Sequence, residues 1–390
     1  MRQPSFPGGI HPPDSKESTA AKAIVRCSLP SELIIPTLQH IGAPAQVCVA
    51  VGDRVLKGQR IATADGPVSV PVHAPSSGDV IAIEPRPHPI GRMMPAVVLR
   101  PDGEDRWDPS LHGEDPRKLT PQQLKDMLRE AGIVGLGGAT FPTHIKLSPP
   151  ADRTIDTLII NGVECEPYLT GDHRLMLEEG ERILAGIAIL QQILAVDKVI
   201  LAIEANKPDA LANMQKLCAG TPVRVQSLPV KYPQGAEKQL IEAVTGRQVP
   251  SGKLPMDCGA VVQNVGTAAA TSDAVRLGRP LIERIATVTG PGIANPKNLR
   301  VTVGTPLAHL IEECGGFRDQ PGKIILGGPM MGTAQISLAA PVIRGTSGLL
   351  IQREQDINRR PAGPCIRCGR CVKVCPIHLQ PTAIALCARL

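Results

Sequence analysis

Between residues 120 and 280 the apolar positions fall into two alternating patterns. Thr157 to Ile160, Val199 to Ile203, Val223 to Leu228 and Val261-Val262 are short apolar runs of strand length, rich in branched residues. Between them apolar residues recur at helical spacing, as at Ile183, Ile187, Leu190 and Leu194. Thr120 followed by Pro121 marks a helix start, and that helix is expected to run to about Ala131. Pro208 to Cys218 and Gly235 to Thr245 read as further helices, the second closed by Gly246. Thr267 is the expected cap of a last helix that stops at Gly278. Strands alternating with helices predict a mainly parallel, layered sheet.

The flanks carry a different rhythm. In residues 1–115, Val51 to Gln59 and Val72 to Val80 alternate valines between Gly-Asp and Ser-Gly turns, which suits the short strands of an all-β module. The pair resembles the two halves of a biotinyl/lipoyl-like barrel-sandwich domain. Carriers of that type need a lysine near the position of Pro67, and Ile61 to Val72 contains none, so the fold is expected without the carrier role. Residues 281–350 read as Ala286 to Thr289, Val301 to Val303, a helix near Leu307 to Cys314, then Lys323 to Leu326, an order that fits a small β-grasp module. Residues 351–362 are polar and read as a linker into a C-terminal segment, 351–390. The fold class is therefore multidomain α/β plus β: a barrel-sandwich module at 1–115, an α/β domain at 116–280, a β-grasp module at 281–350 and a cysteine-bearing tail.

Composition narrows the function classes. Three Phe, two Tyr and one Trp in 390 residues argue against a nucleic-acid binder built on stacking platforms. The net charge of +6 is mild and has no long basic block, so it does not by itself imply nucleic acid or membrane. No apolar run reaches the roughly 18 residues that cross a bilayer, and the N-terminus lacks the apolar core of a signal peptide. A cytoplasmic protein is expected, touching a membrane only through partners.

The strongest chemical signal is Cys365-Ile-Arg-Cys368-Gly-Arg-Cys371-Val-Lys-Val-Cys375-Pro376. Its C-x2-C-x2-C-x3-C-P spacing is that of bacterial ferredoxins and predicts a 4Fe-4S cluster. Three close thiolates wrap one face of a cubane, while the fourth, before proline, usually serves a second cluster. Zinc sites favour separated pairs with longer loops. A second run is missing before Leu390, so either the chain is cut short, the expectation here, or Cys375 or Cys387 completes a single cluster. Cys27, Cys48, Cys218, Cys258 and Cys314 are isolated and read as inert core residues.

A second signal is spread over three loops. Gly135, Gly137 and Gly138 open a stretch that continues through Phe141 to Lys146; such glycines let backbone N–H groups approach a phosphate or a flavin edge, and Lys146 suits a phosphate. No strand clearly precedes it, so it is no Rossmann fingerprint, and Gly246 to Lys253 fails as a P-loop. Asn161, Glu164 and Glu166 follow the strand ending at Ile160, and Asn264 and Thr267 follow the one ending at Val262. Ligands of open α/β sheets bind at such carboxyl ends. The amides and Thr267 suit a flavin, and the two glutamates suit ribose hydroxyls or a nicotinamide amide; a pair of solvated acidic turns is the plain alternative. Cys165, between two carboxylates, is expected to have a raised pKa and no catalytic role. No hydrolytic signature is present.

GLGGATFPTHIKL, NGVECEPYLTGDHRLM, YPQGAEKQLI, VVQNVGTAAA and CIRCGRCVKVCP, in that order, resemble the C subunits of the Rnf electron-transport complexes, from GGIHPP at the N-terminus to the cysteine run. A more distant likeness is to the FMN-carrying, NADH-oxidising subunit of respiratory complex I. The resemblance implies that Gly135, Gly137, Gly138, Lys146, Asn161, Glu164, Asn264 and Thr267 line an FMN site. It implies that Phe141 stacks near the nicotinamide, and that Glu166 and Glu237 hold NAD(H). Complex I has an arginine, an acid and a glutamate where Leu136, Val163 and Ala236 stand. The family couples electron flow between ferredoxin and NAD to ion movement across a membrane. This chain would be its peripheral NADH-side subunit, on the cytoplasmic face of the bacterial inner membrane. Its partners would be the other Rnf subunits and NADH, with ferredoxin reached indirectly and no nucleic acid. A soluble NADH-dependent flavin and iron–sulfur reductase is the alternative with the same modules, and an adaptor with an empty α/β domain a third.

Overall fold

The structure is a computed structural model that describes residues 4–361 and 363–388. After β1 (Ile24–Arg26), the N-terminal module is built from β2 (Leu33–Pro36), β3 (Gln46–Val47), β4 (Arg54–Val55), β5 (Arg60–Thr63), β6 (Val72–His73), β7 (Gly78–His88) and β8 (Arg92–Pro101). These strands form two small antiparallel sheets, β2-β8-β7-β4 and β3-β5-β6. Leu33, Ile35, Val55, Ile61, Val72, Val97 and Leu99 from both sheets meet in one core. Inward and outward positions alternate because successive side chains of a strand face opposite ways.

The α/β domain opens with α1 (Pro121–Glu130). Thr120 caps it as the sequence predicts: its hydroxyl accepts from Gln123 N, and the Gln123 side chain accepts from Thr120 N at 2.8 Å. A short α2 (Thr143–Lys146) follows, then β9 (Thr157–Gly162), α3 (Gly171–Glu178), α4 (Gly180–Leu194), β10 (Lys198–Glu204), α5 (Pro208–Leu217), β11 (Val223–Leu228), α6 (Glu237–Thr245), β12 (Ala260–Asn264) and α7 (Val265–Arg276). The sheet order is β11-β10-β9-β12, parallel throughout. Side chains of α1, α3, α4, α5 and α7 share one apolar core with one face of the sheet, while α6 packs Leu240 and Ile241 against Ile159 and Val262 on the other. The last helix begins earlier than its sequence signal. Asn264, not Thr267, is the cap, and its Oδ1 accepts from Gly266 N at 2.7 Å.

The third module comprises β13 (Glu283–Thr289), β14 (Lys297–Thr302), α8 (Leu307–Glu313), β15 (Pro321–Leu326), β16 (Thr333–Ala334) and β17 (Gly348–Arg353). Its sheet order is β1-β14-β13-β17-β15-β16. Two features depart from the sequence reading. The strand β1, drawn from the N-terminal stretch, pairs in parallel with β14. The expected linker begins as strand β17, because Leu349, Leu350 and Ile351 are buried and pair with β13 and β15.

Arg344 sits where the three modules meet: it belongs to the third, bonds the first, and stands so close to Gly132 of the α/β domain that a Cβ there would lie 2.7 Å from its Nη2. Its Nη2 donates to Pro71 O at 2.8 Å, its Nε to Leu281 O at 3.3 Å, and its backbone N to Gln39 Oε1 at 3.2 Å. It is fully buried, which lowers its guanidinium to about 10. Beyond β17 the chain forms two short helices, α9 (Arg370–Val374) and α10 (Pro381–Cys387). The N-terminal segment reaches them: Gly9 N donates to Val374 O at 2.8 Å, and a Cβ on Gly8 would lie 2.7 Å from that oxygen. No helix among the described residues is long and apolar enough to cross a membrane.

Candidate functional site

Four loops meet at the carboxyl ends of β9 and β12. The glycine loop is a clasp: Gly135 N donates to Phe141 O at 2.9 Å and Thr143 N to Ile133 O at 3.0 Å. Leu136 roots it in the core. Its N–H donates to Thr267 Oγ1 at 3.0 Å, and its carbonyl accepts from Arg284 Nη2 at 3.2 Å. Gly137 and Gly138 then stand exposed. A Cβ on Gly137 would lie 2.7 Å from Asn264 Nδ2, whereas one on Gly138 would meet nothing within 4 Å. The first glycine permits a close approach; the second leaves open backbone facing solvent.

The other loops close round the same place. Lys146 Nζ donates to Glu237 Oε1 at 2.7 Å and to Val262 O at 2.6 Å. Asn161 Nδ2 donates to Gly235 O at 2.9 Å, and its Oδ1 accepts from Val163 N at 3.1 Å. Asn264 Nδ2 donates to Asp172 Oδ2 at 2.6 Å. Hydrogen bonds and close approach thus link Gly137, Lys146, Asn161, Glu237 and Asn264 across four loops, while Thr267 holds the glycine loop from below.

Two predicted residues are engaged elsewhere. Glu164 accepts from Asp172 N at 2.7 Å and from His173 N at 3.2 Å, supplying the N-terminal cap that Thr170 does not give α3. Glu166 accepts from Met330 N at 3.0 Å, so it reaches a loop of the third module. Phe141 is half-buried at the base of the clasp.

Buried charge holds the acidic loop from beneath. Lys207 and Glu204 are buried partners 3.4 Å apart, and Lys207 Nζ donates to Val163 O at 2.7 Å. Lys16, from the N-terminal segment, donates to the carbonyls of Glu164 at 3.0 Å, Glu166 at 2.9 Å and Leu169. Burial lowers the Lys16 ammonium to about 8. A lone lysine in a polar stretch gave no sequence signal for this role. Burial pushes the Cys165 thiol up to about 12, with Glu204 and Glu166 adding to that, so burial outweighs the carboxylates expected to cause the shift.

Sequence reasoning also missed two buried amides. Gln234 in the 233–237 loop and Gln263 at the end of β12 have no hydrogen-bond partner for side-chain nitrogen or oxygen among the described residues, and Glu166 Oε1 is likewise unmatched. Orphaned buried polar atoms are rare in folded chains. Both glutamines stand inside the motifs YPQGAE and VVQNVG, next to the residues the sequence singles out.

The cysteine run lies apart. Cys365, Cys368 and Cys371 are exposed and Cys375 is half-buried. Arg367 N donates to Cys365 Sγ at 3.4 Å and Leu379 N to Cys375 Sγ at 3.3 Å. Among the described residues no three of these sulfurs lie within 4.8 Å of one another. The donors are all thiols, and backbone N–H groups already face two sulfurs, a chemistry that fits an iron–sulfur cluster. Of the cysteines read as core, Cys27, Cys218 and Cys314 are buried, Cys258 is intermediate, and Cys48 is exposed on a loop before β4.

Comparison with known proteins agrees with this layout. Residues 4–104 match the RnfC barrel sandwich hybrid domain, residues 128–273 the Nuo51 FMN-binding domain, and residues 285–334 the SLBB domain. The fold resembles an NAD+-reducing [NiFe]-hydrogenase in the air-oxidized state, with a TM-score of 0.51 and 23% identity over 60% of this chain and 47% of that one. The C subunit of the Na(+)-translocating ferredoxin:NAD(+) oxidoreductase complex of Acetobacterium woodii is 47% identical over 99% of this chain and 87% of its own length. The C subunit of the proton-translocating ferredoxin:NAD(+) oxidoreductase complex of Clostridium ljungdahlii is 50% identical over 98% of this chain and 84% of its own length. With three matched modules in order and half of its residues shared across nearly its whole length, the chain belongs to the RnfC family, the C subunits of the ion-translocating oxidoreductase complexes.

Proposed function

We propose that this chain is a peripheral subunit of a membrane-bound complex that couples electron transfer between NAD(H) and ferredoxin to ion translocation. It would pass electrons between an FMN/NADH site and 4Fe-4S clusters, on the cytoplasmic face of the membrane. The observation that carries this reading is the meeting of four loops over two strand ends, with the buried amides of Gln234 and Gln263 unpartnered among the described residues. FMN, when bound, accepts two electrons as hydride and releases them singly. The chain's own residues bind and orient. Gly137 and Gly138 offer backbone N–H groups, and Asn161 and Asn264 fix the loop edges. Lys146 and Glu237 neutralise each other where the loops meet. Glu164 and Thr267 act as positioning residues, through α3 and Leu136 respectively. Phe141 and Gly135 shape the clasp. Glu166, with Glu237, would hold the dinucleotide, and it joins the acidic loop to the third module. Cys365, Cys368 and Cys371 would hold one cluster, with Cys375 turned to a second.

The test is anaerobic purification with iron reconstitution, followed by spectra before and after NADH. The expected result is bound FMN that NADH bleaches, with a reduced-cluster EPR signal following. Iron without flavin, and a spectrum indifferent to NADH, would overturn the reading.

A further inference from the structure

Three side chains of metal-ligating type, Cys27, His309 and Glu313, meet at the edge of the third module, away from both the α/β loops and the cysteine run. His309 and Glu313 lie four residues apart on α8, and so share one face of the helix. Cys27 follows β1, whose pairing with β14 continues as Cys27 N donates to Arg300 O at 3.0 Å. This long-range pairing lays Cys27 against α8. One ligand atom from each of the three residues, the Cys27 sulfur, a His309 ring nitrogen and a Glu313 carboxylate oxygen, lies within 4.8 Å of the other two.

The surroundings suit a site open on one side. Cys27 is buried at 5%, while the His309 and Glu313 side chains are 19% and 24% exposed. His309 Nε2 is 3.8 Å from Glu313 Oε1. Ser28 completes the group: its hydroxyl donates to the Glu313 carboxylate and lies 3.0 Å from His309 Nε2, and its carbonyl oxygen is also 3.0 Å from that nitrogen. Lys297 Nζ donates to the main-chain carbonyl of Glu313 at 2.6 Å, so one cation stands beside the set.

We propose that Cys27, His309 and Glu313 bind one divalent cation of the zinc class, with water or the Ser28 hydroxyl in the fourth position. Sulfur, imidazole and carboxylate together exclude magnesium and calcium, which take oxygen ligands, and match zinc or cobalt. Tetrahedral zinc bonded at about 2.0–2.3 Å sets its ligands roughly 3.3–3.8 Å apart, so small side-chain rotations close this set. On binding, the Cys27 S–H bond breaks, the sulfur–metal bond forms and the proton leaves to solvent; no electron moves. The metal, thiolate and carboxylate are together neutral, which leaves Lys297 tolerated. The consequence is a staple that fastens β1, an edge strand donated from the N-terminal stretch, to the helix of the third module.

The experiment uses the full chain with its C-terminal clusters assembled, so that those thiols are occupied. Zn2+ titration by calorimetry, followed by Co2+ difference spectra, should give one saturable equivalent beyond iron. Cobalt should show tetrahedral d–d and thiolate-to-metal charge-transfer bands. Cys27→Ser should abolish the charge-transfer band, and His309→Gln should weaken binding about tenfold or more. His309 is near the surface, so His309→Gln decides the matter if Cys27→Ser does not fold. Absence of a saturable equivalent in the native chain, or unchanged affinity in His309→Gln, would sink the proposal.

Discussion

Among single residues, Asp172 is a carboxyl whose surroundings oppose its charge. Burial raises its carboxyl from 3.8 to about 6, Glu164 beside it adds to that, and Asn264 and Arg284 pull the other way. Between 3.8 and about 6 the folded chain holds a proton that the unfolded chain has lost, so stability falls as pH rises through that window. Asp172→Asn should flatten this slope. Urea midpoints of the flavin-free chain should favour the variant more at pH 7 than at pH 4.5, by on the order of 2 kcal/mol. Equal differences at the two pH values would count against a buried, proton-holding carboxyl. The two loop glycines separate space from chemistry. Gly138→Ala should leave the urea midpoint within about 0.5 kcal/mol of the parent, since its Cβ meets nothing within 4 Å, yet weaken FMN binding if backbone there faces the cofactor. Gly137→Ala should lower both, because Asn264 stands 2.7 Å from the added carbon.

At the scale of elements, the crossing of α4 and α7 has no slack. A Cβ on Gly186 of α4 would lie 1.7 Å from Ala268 O in α7, a distance at which one helix must move. Gly186→Ala gains helix propensity worth about 1 kcal/mol but forces two packed helices apart. A net loss of about 3 kcal/mol or more is expected in chemical denaturation. A neutral or stabilised variant would mean that the crossing is loose. Because α7 carries Thr267, which anchors Leu136, the same substitution should also displace the glycine loop and lower flavin occupancy.

At the scale of the whole molecule, Arg344 is a buried cation with only carbonyl partners at the junction of the three modules. Its Nη1 has no partner among the described residues. Arg344→Ala removes both hydrogen bonds and leaves a cavity lined by the Pro71 and Leu281 carbonyls. The expected cost is about 3 kcal/mol or more, with the N-terminal module becoming sensitive to limited proteolysis before the α/β domain. Simultaneous digestion of all modules, or no change in stability, would show that other contacts hold the junction.

Features that depend on local pattern can be read directly along the chain. Thr120, Pro121 and Gln123 announce their helix because a capping box is satisfied within four residues. The apolar runs of β9, β10 and β11 announce a parallel sheet because both of its faces are covered. The spacing of Cys365, Cys368, Cys371 and Cys375 is itself the chemical signal, and the loops round Asn161 and Asn264 were legible as strand-end motifs. Assignments that join distant residues emerge only in the folded chain. Thr267 reads as a cap locally, but Asn264 takes that place and Thr267 turns to Leu136, 131 residues away. Glu164 reads as a ligand, yet the open N-terminus of α3 binds it first. Lys16 and β1 carried no signal, because their partners lie more than a hundred residues off and exist only once the sheets have formed. Side chains satisfied by near neighbours can be read along the chain, whereas those satisfied across it are assigned by whichever buried donor or acceptor the fold leaves unmatched.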